Sequence, residues 1–107
     1  MDILINFRKK ITAMNRDDFR KSLDSDQPPS NLSIYLQAMW YDAKGNWDRA
    51  HQLVQDMENA EASWIHAYLH RKEGDIANAD YWYRRAGKKL PDVSFQEEWE
   101  NLVDAFL

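Results

Sequence analysis

The sequence predicts an all-α fold in one domain, and three observations lead to that prediction. The 107 residues contain only three glycines and three prolines, fewer than a chain of many short strands needs for its turns. Apolar residues recur at spacings of three and four along most of the chain, which is the period of an amphipathic helix. The stretch around Gly45 also repeats around Gly74, an offset of 74 − 45 = 29 residues, as in helical repeat proteins.

The composition indicates a soluble protein and limits its partners. Hydrophobic residues make up 44% and charged residues 30% of the chain, which is ordinary for a globular domain. The net charge of −4 disfavours nucleic acid, because phosphate binding needs a basic surface. No apolar run approaches the ~20 residues that cross a bilayer, and the start MDILINFRKK lacks the apolar core of a secretory signal. We therefore expect a cytoplasmic protein with no membrane and no nucleic-acid partner.

The chain contains no cysteine, and this absence excludes every kind of site that depends on a thiol. Disulfides, thiolate nucleophiles and cysteine-ligated zinc all need that residue. The sequence also has no Gly-rich phosphate loop and no serine in a nucleophile elbow. We therefore predict no catalytic residue and no cofactor, and a binding protein rather than an enzyme.

The first 29 residues predict two helices followed by a proline-containing linker. Five apolar residues share one face of a helix over residues 2–14: Ile3, Leu4, Phe7, Ile11 and Met14. Asn15 is expected to cap a second helix that runs from Arg16 to about Leu23. The stretch DSDQPPSN, residues 24–31, should end that helix, because two prolines and several turn-forming residues cannot continue it.

Residues 30–91 contain two copies of a helix pair. YDAKGNWDRAHQLVQDM at 41–57 aligns with HRKEGDIANADYWYRRA at 70–86. In each copy a glycine, Gly45 or Gly74, should end the first helix, and Asn46 or Asp75 should cap the second. Small residues occupy the positions where two helices must approach closely: Ala38, Ala50, Ala67 and Ala79. Stacking the two pairs would create the core, because one pair alone cannot bury both of its faces.

Residues 92–107 predict a final, capping helix. Ser94 and Glu97 have the spacing of a capping box at its start. Its apolar stripe consists of five residues: Phe95, Trp99, Leu102, Val103 and Phe106. We expect this helix to cover the open end of the stack.

The repeat resembles the tetratricopeptide repeat. The second copy carries the resemblance at seven positions: Ala67, Gly74, Asp75, Ala79, Tyr83, Ala86 and Pro91. The first copy keeps Ala38, Tyr41, Gly45 and Ala50 but is shorter than the family's usual repeat of about 34 residues. The resemblance implies a right-handed stack of antiparallel helix pairs. The amino-acid sequence from about residue 14 to 106 also resembles a group of small bacterial proteins of unknown function. This resemblance implies a bacterial cytosolic protein.

The resemblance also implies a function, because the first helix of each tetratricopeptide pair lines a groove that binds peptides. The groove-facing positions of the first pair are Tyr35, Met39 and Asp42. Those of the second pair are Trp64, Tyr68, Arg71 and Lys72. Aromatic rings and arginine are common anchors of protein interfaces, so we predict a protein- or peptide-binding module. The family's groove for C-terminal carboxylates has Lys and Asn where this chain has Tyr35 and Met39, and binding of chaperone tails is not predicted.

The histidines allow a second interpretation. His66 and His70 are four residues apart on one helix face and can share a metal ion, with Glu73 as a third ligand. The stretch HAYLH lacks the glutamate of the zincin motif, so hydrogen bonding at a helix interface is the favoured interpretation. His51 can join them, and nearby acids could then support acid–base chemistry. A small-molecule- or metal-binding protein, or an enzyme built on this surface, is therefore the alternative function.

Tyr81, Trp82 and Tyr83 are consecutive and must point to different sides of a helix. Tyr83 fits the core, whereas Trp82 either packs between helices or forms part of a binding patch. The complete set of predicted partner-binding residues is Tyr35, Trp64, His66, Tyr68, His70, Arg71 and Trp82. A homodimer that packs through the N-terminal helix is a further possibility.

Overall fold

The computed structural model describes residues 14–107, and the helix predicted over 2–14 therefore falls largely outside the described residues. Within the described part the chain is all-helical and contains no strand. Its helices are α1 (Arg16–Ser22), α2 (Ile34–Ala43), α3 (Trp47–Val54), α4 (Ala60–Glu73), α5 (Ile76–Arg85) and α6 (Phe95–Phe106). None of them is long and apolar enough to cross a membrane.

The helices begin where short polar side chains can satisfy the free backbone N–H groups of the first turn. The predicted caps are present: the side chains of Asn15, Asn46, Asp75 and Ser94 each accept a hydrogen bond from the backbone N–H three residues later. Ser33 and Asn59 cap α2 and α4 in the same way. Helix α2 begins at Ile34, and Asn31 before it has a left-handed φ of 68°, which lies outside the helical path.

Two helical hairpins form the centre of the fold. Helices α2 and α3 are joined by three residues and pack together, as do α4 and α5, which are joined by two. Gly45 and Gly74 lie in these connections with φ of +81° and +90°, which glycine adopts more readily than any other residue. The second hairpin packs on the first through contacts of α4 with both α2 and α3.

The small residues of the repeat lie in the interior. Ala38, Ala50, Ala67 and Ala79 are all fully buried, as their positions in the two copies predicted. Large side chains fill the space around them, among them Trp40, Phe19 and Leu69. A smaller apolar cluster under α4 and α5 includes the buried Tyr83. The core is therefore closed by both hairpins together and not by either one alone.

The last helix packs on several other helices of the described chain. Helix α6 packs against the first helix of each hairpin, α2 and α4, and also against α1. The backbone carbonyl of Met39 accepts a 3.2 Å hydrogen bond from the buried Trp99 indole. Helix α1 is held to α6 by the pairing of Arg16 with Glu100 and Asp104, at 2.7 and 2.8 Å. The surface formed by α2 and α4, which we call the α2–α4 face, is thus partly covered by the chain's own last helix.

Replacing Gly74 should test the role of this backbone conformation. Gly74→Ala should lower the free energy of unfolding by about 1 kcal/mol, because a Cβ atom is strained at positive φ. No atom lies within 4 Å of the added Cβ, so the cost is conformational and not a clash. Gly74→Asn should cost less, since asparagine tolerates this region better. Urea unfolding of the two variants measures the difference, and equal losses would contradict the explanation.

Candidate functional site

The residues predicted to bind a partner divide between two sides of α4. The carboxylate cluster consists of the buried Glu98 with Trp64, Arg71 and Tyr83. The histidine cluster consists of His51, His66 and His70. Within α4, residues 64, 68 and 71 follow one helical face, and residues 66 and 70 follow another.

Glu98 is the centre of the carboxylate cluster. Glu98 is 2% exposed. Its carboxylate accepts a hydrogen bond from the Tyr83 hydroxyl at 2.6–2.7 Å and another from the Trp64 indole at 3.2 Å. The Arg71 guanidinium lies 2.9 Å away and also donates to the backbone carbonyl of Val93. A buried carboxylate with three donors and an opposite charge is fully compensated. Arg71 and Trp64 therefore hold α6 in place.

Aromatic contacts extend the attachment of α6 along the α2–α4 face. The ring of Tyr35 stacks on Phe106, with centroids 4.9 Å apart, and the Arg71 guanidinium lies 4.7 Å from the ring of Phe95. Lys88 covers the Trp64 ring at 4.0 Å. Three residues of the predicted binding surface thus already contact other parts of the chain.

A second buried carboxylate lies on the same face. Asp42 is 5% exposed; it accepts a 2.9 Å hydrogen bond from the Tyr68 hydroxyl and pairs with Lys72 at 2.9 Å. Burial and the neighbouring charge of Asp42 raise the pKa of Tyr68 far above its ordinary value. Burial and the hydrogen bond to Glu98 do the same for the pKa of Tyr83. Both tyrosines are therefore neutral donors over the whole physiological pH range.

A cleft of about 450 Å³ opens beside these residues, where α1, α2, α4 and α6 meet. Its lining combines apolar, cationic, acidic and amide side chains: Arg20, Leu23, Asp42, Ala43, Tyr68, Lys72, Phe95, Gln96 and Trp99. The volume falls within the range of ligand-binding clefts in proteins, ~300–1,000 Å³. Lys72 and Phe95 are exposed at its margin, so both a charge and an apolar ring are accessible.

The three histidines converge on the opposite side of α4. His51 comes from α3, and its Nε2 lies 2.9 Å from Nε2 of His66. The ring centroids of His66 and His70 are 4.8 Å apart, and those of His51 and His70 are 5.2 Å apart. One ligand nitrogen from each ring can be chosen so that all three lie within 4.8 Å of one another. Sequence spacing placed His66 and His70 together; the crossing of α3 over α4 adds His51.

Two indole rings and one carboxylate hold the imidazoles. Trp47 stacks on His51 at 4.8 Å, and Trp82 stacks on His66 at 3.9 Å. Glu73 Oε1 lies 2.7 Å from Nδ1 of His70. Trp82 is therefore a packing partner of the histidine cluster, and it also contacts the Tyr81 ring at 5.2 Å and the Arg85 guanidinium at 5.0 Å.

The electrostatic environment keeps two of the rings neutral. Burial and the neighbouring rings of His51 and His70 lower the pKa of His66 from its ordinary value of 6.5 to about 3. Burial, followed by the charge of His70, also lowers the pKa of His51. At neutral pH both imidazoles keep a lone pair on one nitrogen. Such rings can accept a hydrogen bond or bind a metal ion.

Glu98 is the residue of this site that sequence reasoning missed. It lies three residues after Phe95 and four before Leu102, and so shares the apolar stripe of α6. A carboxylate on a core-facing stripe signals a buried partner, but the sequence does not say which one. Met39, assigned to the groove from the family resemblance, is fully buried. Asp80 and Arg84 form an i,i+4 ion pair at 3.1 Å on the surface of α5.

No protein-family model, curated protein or solved structure matches this chain.

Removing the Glu98 carboxylate should strongly destabilise the fold. Glu98→Ala leaves the Arg71 guanidinium without its buried partner, and we expect a loss of about 3–5 kcal/mol in the free energy of unfolding. The matched control is Glu97→Ala, which removes an exposed carboxylate from the same helical turn and should cost at most about 1 kcal/mol. Urea unfolding followed by circular dichroism measures both. Equal losses would show that Glu98 does not hold α6.

Stability should fall at alkaline pH. Because the pKa of Tyr68 and of Tyr83 is raised in the folded state, the unfolded state releases these protons first, from about pH 10 upward. The free energy of unfolding should then decrease by about 1.4 kcal/mol per pH unit for each of the two tyrosines. Urea unfolding at several pH values above 9 measures the slope. Tyr83→Phe should make the slope shallower, whereas the exposed Tyr81→Phe should leave it unchanged; an unchanged slope in Tyr83→Phe contradicts the assignment.

Proposed function

We propose that this protein is a protein- or peptide-binding module of the helical-repeat type. Its proposed architecture is a right-handed tetratricopeptide-like stack, supported by the 29-residue offset between Gly45 and Gly74 and by the two similar hairpins they join. The proposed binding region is the open part of the α2–α4 face. The observation that carries the proposal is the cleft of about 450 Å³ in that face, with exposed aromatic and cationic groups at its margin.

The attachment of α6 supports the proposal, because it shows what kind of segment this face can hold. Helix α6 is amphipathic and binds the face through its apolar stripe and one carboxylate. On the α2–α4 face, aromatic rings and the Arg71 guanidinium contact this helix, and such groups are typical anchors of protein interfaces. A partner segment that enters the neighbouring cleft would meet the same chemistry.

The cleft favours an occupant with one apolar and one acidic side chain. Phe95 offers the accessible aromatic surface, because this residue is 46% exposed, whereas Trp99 is buried. The Lys72 ammonium uses one contact on Asp42 and is partly exposed, so its remaining donors can reach an incoming carboxylate. We therefore propose a peptide segment in which an apolar residue enters the cleft and an acidic residue approaches Lys72.

The choice of test variants follows from the contacts. Trp64 and Arg71 compensate the buried Glu98, so replacing them would disturb the fold as well as any binding. Ala43 lines the cleft, is exposed, and has a side chain that makes no hydrogen bond. Ala43→Trp should fill the cleft without removing any polar contact. Ala77→Trp adds the same ring to an exposed position on α5, away from the cleft, and is the matched control.

A displayed library of random peptides, selected on the purified protein, tests this function. We expect enrichment of peptides that combine an apolar and an acidic residue. Their dissociation constants should rise at least about tenfold with Ala43→Trp and stay unchanged with Ala77→Trp. Amidation of the acidic side chain in a selected peptide should also weaken binding, because the contact with Lys72 is lost. Failure to enrich any peptide, or equal binding to Ala43→Trp, would refute the proposal.

A further inference from the structure

We propose that His51, His66 and His70 form a binding site for a divalent late first-row transition metal ion, with zinc as the best-fitting ion. The site lies between α3 and α4 and is separate from the cleft proposed for peptides. Its three ligands would be imidazole nitrogens, which suit zinc, copper, nickel and cobalt.

The positions of the donor atoms carry the proposal. Ligand nitrogens of the three rings lie within 4.8 Å of one another, and the Nε2 atoms of His51 and His66 are 2.9 Å apart. Three nitrogens around a tetrahedral zinc ion, each at ~2.0–2.1 Å, are separated by about 3.3 Å. Small rotations of the rings therefore bring all three donors to ligating distance.

The hydrogen bonds of His70 select the nitrogen that would bind the ion. Its Nδ1 lies 2.7 Å from the Glu73 carboxylate, which accepts a hydrogen bond from the Nδ1–H group, so that the lone pair of the ring lies on Nε2. The Asn78 side-chain amide donates a long hydrogen bond of 3.4 Å to Nε2, which an ion bound at this nitrogen would replace. A carboxylate that orients a ligating histidine through its other nitrogen is a frequent partner in zinc sites.

His66 leaves one of its two ring nitrogens without a hydrogen-bond partner. Its residue is 5% exposed, and among the described residues its Nδ1 has no hydrogen-bond partner. In either tautomer, with Nε2 directed at His51, the ring leaves a buried donor or acceptor unsatisfied. A buried polar group without a partner lowers the stability of a fold. The imidazole ring can therefore change its tautomer, or flip about its χ2 angle, when an ion binds, and neither change breaks a hydrogen bond at Nδ1.

The surroundings suit a bound cation with an open position. Trp47 and Trp82 cover the rings of His51 and His66 from outside, so these ligands are held and partly shielded from water. His51 is half-buried, whereas His66 and His70 are buried, which leaves an approach from the His51 side. Three protein ligands and one free position correspond to the arrangement of zinc sites that keep a bound water.

Titration of the untagged full-length protein with cobalt and zinc tests the site. The chain contains three histidines in all, so each can be assigned. One equivalent of Co²⁺ should produce the visible absorption of a four-coordinate ion, and Zn²⁺ should displace it. Zinc should also raise the melting temperature, since a ligand that binds only the folded state stabilises it. NMR of ¹⁵N-labelled imidazoles in the wild-type protein should show zinc-dependent shifts of all three rings.

Variants separate this site from a second group of potential ligands. His51→Ala and His70→Ala should abolish the one-equivalent binding, and Glu73→Gln should weaken it by about 10–100-fold. Asp75→Asn is the matched control: Asp75 and Glu73 also lie near His70, and asparagine preserves the helix cap. Binding weaker than about 100 μM, or imidazole shifts confined to one ring, would overturn the proposal. Retained binding in a folded His51→Ala variant would overturn it as well.

Discussion

The burial of the Glu98 carboxylate is the constraint on which the arrangement of the last helix depends. A buried charge must be compensated, and its donors come from α4 and α5 as Trp64, Arg71 and Tyr83. Apolar contacts alone attract without direction, so the stripe of α6 could slide or rotate on the α2–α4 face. The carboxylate prevents this, because a shift of one residue turns it by about 100° away from its partners. The same geometry brings Trp99 to its hydrogen bond on the backbone of Met39.

Helix α4 connects the two candidate sites because it is covered on several sides. One face carries Arg71 toward α6, and another carries His66 and His70 toward α3. A helix surrounded in this way cannot be a simple two-faced surface helix, and polar groups at its interior positions need partners from neighbouring helices. The carboxylate cluster meets this need completely. The histidine cluster meets it in part, because Nδ1 of His66 has no partner in the described part of the chain.

The features that could be predicted from sequence are the local ones. Gly45 and Gly74 end helices because their own backbone angles are left-handed, and Asp75 caps a helix through an N–H three residues away. Long-range pairs could not be predicted in the same way. Arg71 and Glu98 are 27 residues apart, and their contact depends on where α6 returns to the stack. For the same reason helical spacing grouped His66 with His70, whereas the approach of His51 depends on how two helices cross.

The separation of the two sites on α4 also means that the two proposals can fail independently. A peptide in the cleft would contact Lys72 and Phe95, which lie on the α6 side. A metal ion would contact the imidazoles on the α3 side and would leave Lys72 and its buried partner Asp42 unchanged. Filling the cleft at Ala43 should therefore leave metal binding intact. Conversely, loss of the imidazole ligands should leave the cleft intact, so that each function can be assigned to its own face of one helix.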